Sequence, residues 1–264
     1  MKIIESVFGK ERRELEKFNK LNLDERSIVF YSEDISSFVH FEQIIHELTK
    51  EMGYQICYVT SAKDDPILNS QNKKIKAFYI GDGATRTKFF MELKAEVLVM
   101  TMPSLETYFI KRSRVYPVHY VYVFHSINST HRNYRKNAFD HFDSIFCTGP
   151  HHVKEIIATE QLYNLKRKNL VKCGYGLIDK LQKNKPVKNQ EMCTKDGRKK
   201  ILVAPSWGKK GLLETKGPEL VKILLDAGYH VTVRPHPMTV RKWPKIIKTI
   251  RSEFKDESNF EMET

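Results

Sequence analysis

Seven short runs rich in β-branched and aromatic residues recur at steady intervals through the first two-thirds of the chain. Nothing else in the sequence constrains the fold so strongly. The runs are Ser27–Tyr31, Tyr54–Val59, Lys76–Ile80, Val97–Thr101, Val118–Phe124, Ser144–Thr148 and Leu170–Cys173. Segments of helical period separate several of them. The clearest is Phe38, Phe41, Ile45, Leu48 and Met52, an i, i+3, i+4 stripe that ends at Gly53. Strand–helix–strand alternation lets helices cover both faces of a sheet, so the pattern predicts a doubly wound parallel sheet.

Residues 180–200 break the pattern. Lys, Asn, Gln and Pro186 dominate there and apolar residues are few, which reads as a linker. Alternation then resumes with Lys200–Ala204 as strand, Thr215–Ala227 as helix closed by Gly228, Tyr229–Val233 as strand and Pro244–Phe254 as helix. The expected divisions are a helical segment over 1–22, a Rossmann-like domain over 23–180, a linker over 181–199 and a second Rossmann-like domain over 200–264. Because two strands and two helices do not complete a doubly wound domain, the second is expected to be incomplete. In the helical segment, Ile4, Phe8, Leu15 and Phe18 share one face amid Lys10, Arg12, Arg13 and Lys17. Glu5, Glu11, Glu14 and Glu16 dilute the basic side, which favours packing on the first domain over an interfacial membrane helix.

Composition narrows the function classes. The 264 residues are 41% hydrophobic and 29% charged, a globular balance, and carry a formal net charge of +13. That surface suits nucleic acid, anionic lipid or phosphorylated substrates, although the basic residues are spread along the chain and equally describe a solvated lysine-rich face. Cys57, Cys147, Cys173 and Cys193 lie far apart with no C-x-x-C pair, which speaks against a metal site or disulfide framework and for a reducing compartment. No signal-peptide core and no apolar run of membrane-spanning length occurs. A soluble cytoplasmic protein is expected, at most peripheral on the membrane.

Four stretches could carry chemistry. In Arg234-Pro235-His236-Pro237, an apolar strand delivers an arginine fork and an imidazole to its carboxyl end, where ligands bind in open α/β sheets. In Phe124-His125-Ser126-Ile127-Asn128-Ser129-Thr130-His131, the most apolar strand ends in a histidine followed by hydroxyl and amide residues. Such a histidine can accept a proton from an attacking hydroxyl. His131 leads into Arg132–Lys136, which reads as an exposed helix. In Ala204-Pro205-Ser206-Trp207-Gly208-Lys209-Lys210-Gly211, Gly208 frees the backbone to approach a ligand and Lys209 and Lys210 add charge, without the spacing of a nucleotide-triphosphate loop. In Gly81-Asp82-Gly83, glycines between a strand and a helix suit an anion at the helix start. Each stretch has a plainer reading as a loop satisfied by its own backbone. Gly174-Tyr175-Gly176 reads only as a turn between domains.

Taken in order, the set resembles the bacterial CDP-glycerol glycerophosphotransferases, which polymerise the glycerol-phosphate backbone of teichoic acids. The resemblance runs best from Tyr116 to His236. It rests on His125, the segment from Phe139-Asp140 to Gly149, Gly174-Tyr175-Gly176 with Asp179, Ala204-Pro205-Ser206-Trp207 and Arg234-Pro235-His236-Pro237. It implies a GT-B architecture of two Rossmann-like domains around a cleft, with no cofactor and no metal. By the resemblance His125 is the acceptor-side general base, and Arg234 and His236 lie near the donor pyrophosphate. Ser126 stands where the family usually has glycine, and later acidic and Ser-Ser segments that hold the nucleotide are absent before Thr264. Ser126, Ser206, Trp207, Gly208, Lys209, Lys210, Gly81 and Gly83 are the expected substrate contacts. The implied partners are a CDP-alditol donor, a polyanionic or lipid-linked polymer acceptor and an anionic membrane surface, without nucleic acid. Two alternatives stay open: another GT-B enzyme, either a glycosyltransferase or a sugar-nucleotide epimerase, and a non-catalytic polyanion-binding module.

Overall fold

The computed structural model describes residues 2–107, 109–184 and 193–263, with side chains from residue 9 onward. Residues 185–192 of the expected linker, and the side chains of Ile4 and Phe8, lie outside what is described. The chain divides into two compact units, Met1–Asn184 and Lys185–Thr264.

All seven predicted strands of the first unit form, each within two residues of its expected bounds. They are β1 (Ile28–Ser32), β2 (Ile56–Thr60), β3 (Ile75–Tyr79), β4 (Val97–Met100), β5 (His119–Val123), β6 (Ser144–Cys147) and β7 (Asn169–Lys172). They make one parallel sheet in the order β3-β2-β1-β4-β5-β6-β7. The winding reverses between β1 and β4, where Val29 pairs with Leu98 and Phe30 with Val99. That is the topological switch point of a Rossmann-like sheet, and loops at the carboxyl ends of nearby strands form its ligand edge. Every residue of β2 is buried, as a strand covered on both faces requires.

Among the described residues, six α-helices accompany this sheet: α1 (Lys2–Asn19), α2 (Phe38–His46), α3 (Ala84–Glu92), α4 (Thr130–Asn133), α5 (Pro150–Leu162) and α6 (Gly176–Lys183). Leu15 and Phe18 of α1 are buried in the core that also holds Phe78 and Phe89. The Phe18 ring meets each of those two rings edge-on at 5.5 Å. On the other face, Phe41 and Ile45 of α2 pack with Phe30 and Tyr58. The predicted stripe through Met52 does not hold to its end. A π-helical turn at Glu47–Glu51 rotates the chain off the 3.6-residue period, and Met52 is 62% exposed. The expected helix over Arg132–Lys136 also fails. α4 stops at Asn133, because Tyr134 turns extended and Arg135 reaches away to Ser104 and Thr107.

The second unit carries β8 (Lys200–Val203), β9 (His230–Val233) and β10 (Phe260–Met262), parallel in the order β10-β9-β8. Its helices are α7 (Leu212–Asp226), α8 (Pro237–Lys242) and α9 (Pro244–Glu253). Val203, Leu213, Val221, Val231, Val233, Ile250 and Phe254 form its core. α7 begins three residues earlier than expected. It is kinked at Lys216, just before Gly217 and Pro218, and that break hides the first turn from a periodicity search. α8 was not visible in the sequence, because the prolines read as a strand stop. Pro237 is instead the first residue of a helix, where a missing N–H costs nothing. Among the described residues, no helix is long and apolar enough to cross a membrane.

Candidate functional site

His125 lies just beyond β5, after the buried Phe124, and is exposed at the carboxyl edge of the first sheet. Apolar pairing drives β5 into the sheet interior, between β4 and β6, and so fixes where its successor emerges. Around the ring stand His40 at 6.2 Å and Tyr134 at 6.0 Å between centroids. The Tyr122 hydroxyl lies 3.4 Å from His125 Nδ1. Tyr175 donates from its hydroxyl to the His125 carbonyl oxygen at 3.0 Å and stacks on His40 at 5.8 Å. Gly174-Tyr175-Gly176 therefore does more than turn the chain: it places an aromatic ring in this cluster.

Electrostatics favour a neutral imidazole here. Loss of solvent pushes the His125 pKa below its ordinary value, opposed by a hydrogen bond with the Thr101 backbone and by the negative charge of Asp34. His40 is lowered in the same way, first by burial and then by His125, with Asp34 again opposing. His40 Nδ1 is buried with no hydrogen-bond partner among the described residues. An unprotonated, exposed His125 can take a proton near neutral pH.

The loop that carries His125 is tightly held. Buried His152 of α5 places Nε2 2.8 Å from the Asn128 carbonyl and Nδ1 3.1 Å from the Thr148 hydroxyl. His151 reaches the Ile127 carbonyl at 3.0 Å. Glu155 accepts from both the backbone N–H and the hydroxyl of Thr130 at 2.6 Å. Half-buried Ser126 lies 3.5 Å from the Tyr134 hydroxyl.

Gly81 and Gly83 follow β3, at the far end of the same sheet. Four strand spacings separate β3 from β5, about 19 Å. They do not share the His125 cluster. Gly81 has φ +65°, and the space a Cβ would enter is filled by the buried Glu11 carboxylate. A carboxylate there repels a phosphate, so the geometry accounts for Gly81 by close packing. Gly83 heads α3 with open space where a side chain would be.

In the second unit, Arg234 and His236 follow β9. Arg234 is exposed and paired through Nε with Glu263, which holds the guanidinium pKa above its ordinary value. His236 Nδ1 accepts from the Met238 N–H at 3.1 Å and caps α8. That bond fixes Nε2 as the proton-bearing nitrogen of the neutral ring, so Nε2 is the donor. Trp207, from the loop after β8, lies 6.0 Å from the His236 ring and 6.4 Å from Trp243. Lys242 sits over Trp207 at 4.7 Å. Gly208 has φ +152°, which no other residue adopts easily and which lets this loop fold back so that Gly211 N–H reaches the Gly208 carbonyl at 2.7 Å. Ser206, Lys209 and Lys210 are exposed on the loop.

One edge thus gathers His125 and Ser126, and the other gathers Arg234, His236 and the 206–210 loop. Sequence reasoning missed His40, Tyr175 and Lys242. His40 hides inside an apolar helical stripe, and Tyr175 and Lys242 acquire meaning only through partners remote in the chain. Among the described residues, no three His, Cys, Asp or Glu side chains converge as a metal site.

The sequence profile of a family described as CDP-Glycerol:Poly(glycerophosphate) glycerophosphotransferase matches residues 15–259. No curated protein matches significantly. Among solved structures, the wall teichoic acid polymerase TagF after a 15 minute soak with CDPG is similar at a TM-score of 0.52 and 12% identity. The match covers 98% of this chain and 66% of TagF, so the chain spans just under two thirds of that relative. The UDP-GlcNAc 2-epimerase from Methanocaldococcus jannaschii, in complex with UDP-GlcNAc and UDP, gives 0.54 and 12%, covering 89% of this chain and 72% of its own. These likenesses show the fold, an α/β architecture of the GT-B type.

Proposed function

The chain belongs to the CDP-glycerol:poly(glycerophosphate) glycerophosphotransferase family, and from that premise we propose that it transfers a glycerol-phosphate or related alditol-phosphate unit from a CDP-linked donor to a hydroxyl of a cell-surface polymer, releasing CMP. In this reading the acceptor hydroxyl attacks the phosphorus bearing the alditol. A P–O bond forms there as the bond to the CMP phosphate oxygen breaks, and the hydroxyl proton passes to the His125 imidazole. Arg234 offsets charge that builds on the phosphates as CMP leaves, and His236 donates a hydrogen bond to it from Nε2, the kind of positioned electrostatic help that dominates phosphoryl transfer. Ser126, Ser206, Trp207, Gly208, Lys209 and Lys210 are proposed substrate contacts. The net charge of +13 suits a polyanionic acceptor and an anionic membrane surface.

The observation that carries the reading is an exposed His125 at a strand's carboxyl end with its pKa held below the ordinary value. The test is CMP release from CDP-glycerol with a glycerol-phosphate primer, run beside UDP- and GDP-linked donors. His125→Ala should lower turnover by about 10²–10⁴-fold, the usual share of general base catalysis. Release of UDP or GDP but not CMP would favour another GT-B enzyme, and polyanion binding without any turnover would favour a binding module. Activity of His125→Ala within a few-fold of the parent would remove the mechanism.

A further inference from the structure

Beside the His125 cluster lies a cavity of about 360 Å³, formed by the 134–140 segment and α5. The recess that His40 and Tyr175 line encloses only about 60 Å³, too little for a substrate, whereas 360 Å³ falls in the range of ligand pockets. Tyr134 belongs to both places. It lines the cavity, its ring lies 6.0 Å from His125, and its hydroxyl is 3.4 Å from that of Tyr122.

The lining has mixed chemistry. Buried Phe139 and Ile156 give apolar surface, and Leu162 and Tyr163 add side chains 73% and 44% exposed. Asp140 is half-buried, and its carboxylate has no hydrogen-bond or ion-pair partner among the described residues. Lys136 stands at the wall with its ammonium 4.0 Å from the Tyr163 ring centroid. Such an exposed cation–π contact is worth only about 0.5–1 kcal/mol, so an arriving anion can draw the lysine away. By contrast, other charges of the wall are already engaged: Lys168 and Glu160 side chains are 3% and 7% exposed and paired at 3.4 Å, and Arg135 donates to the Ser104 and Thr107 hydroxyls.

Aromatic and aliphatic faces suit C–H-rich carbon chains, an unpaired carboxylate suits hydroxyl donors, and a loosely held ammonium suits phosphate. A polyol phosphate offers all three in alternation. A free inorganic phosphate does not, because Asp140 repels it. Resting on the function proposed above, we propose that this cavity binds a polyol-phosphate segment of the acceptor, one or more units behind the hydroxyl that reaches His125. Tyr134 forms the shared wall along which the acceptor runs.

The test uses glycerol-phosphate oligomers of a few units, titrated calorimetrically into the full chain without donor. Asp140→Asn should weaken oligomer binding about tenfold or more, the loss expected for a charge-assisted contact, and Tyr163→Ala should weaken it several-fold through the lost apolar face. Lys154→Ala, on the exposed side of α5, should leave it unchanged. In transfer assays the same two variants should raise the acceptor KM and leave the donor KM unchanged. Tyr163→Leu serves if Tyr163→Ala does not fold. Full competition by inorganic phosphate, or unchanged oligomer binding in both variants, would overturn the proposal. Oligomer binding lost in the variants, with no CMP released by the parent, would keep the cavity and reject the transfer reaction. Normal transfer with unchanged acceptor KM in the variants would do the reverse.

Discussion

Replacing His152 with alanine tests whether the scaffold beneath His125 is held as the geometry requires. The ring is fully buried, 3.7 Å from the Phe124 ring between centroids, and bonded on both nitrogens. With Nε2–H donating to the Asn128 carbonyl, Nδ1 must accept from Thr148, so the ring is neutral when satisfied. Two lost hydrogen bonds cost about 2 kcal/mol together, and the cavity left against Phe124 adds roughly 1–2 kcal/mol. The total is about 3–4 kcal/mol. With a urea slope of about 2–3 kcal/mol/M, the unfolding midpoint should fall by about 1–2 M. The same substitution makes a pH prediction. Burial lowers the folded pKa of His152, opposed by its bond to Asn128, lowered further by His151 and opposed by Glu155. A lowered folded pKa means that the unfolded chain binds the proton first. This stability is therefore complete above the ordinary histidine pKa of about 6.5 and is lost as pH falls through the lower folded value. Urea midpoints from pH 7.5 to 4.5 should show that acid loss in the parent and a smaller one in His152→Ala. A midpoint shift under about 0.3 M at pH 7.5, or the same pH dependence in both proteins, would refute the reasoning.

Three further outcomes are expected. Tyr175→Phe removes the hydroxyl bonded to the His125 carbonyl and should cost about 1 kcal/mol in urea unfolding and lower turnover several-fold; wild-type values of both would show that the bond does not position the loop. Gly81→Ala places a methyl group on the Glu11 carboxylate at φ +65° and should destabilise the first unit by about 1–2 kcal/mol, partly restored by adding Glu11→Ala, with thermal melting as the readout. Buried Cys57 and Cys147, whose thiol pKa values burial pushes up to about 12, should resist a thiol reagent in the native protein while exposed Cys173 reacts, a difference that mass spectrometry detects and that should vanish in denaturant.

Much of the first unit is legible before folding. β2 and β5 are read from β-branched and aromatic runs because a strand covered on both faces needs apolar side chains in both directions. His125, Arg234 and His236 are read as site residues because a strand's end fixes where the next side chain emerges. What escapes is whatever depends on a partner distant in sequence. Tyr175 looks like turn material until α6 and β5 bring it to His125, fifty positions away. Met52 looks like core until the π turn rotates it outward.

Local pattern alone, with apolar residues at periods near 2 and 3.6, determined the strand–helix alternation, the parallel sheet and the histidines at its edge, since these follow from which faces each segment must hide from water. Strand order, the packing of Glu11 over Gly81, the ring cluster of His40, Tyr134 and Tyr175 around His125, and the cavity behind Tyr134 were decided only by tertiary structure. Each depends on side chains many residues apart filling the same space, and no local pattern encodes that proximity.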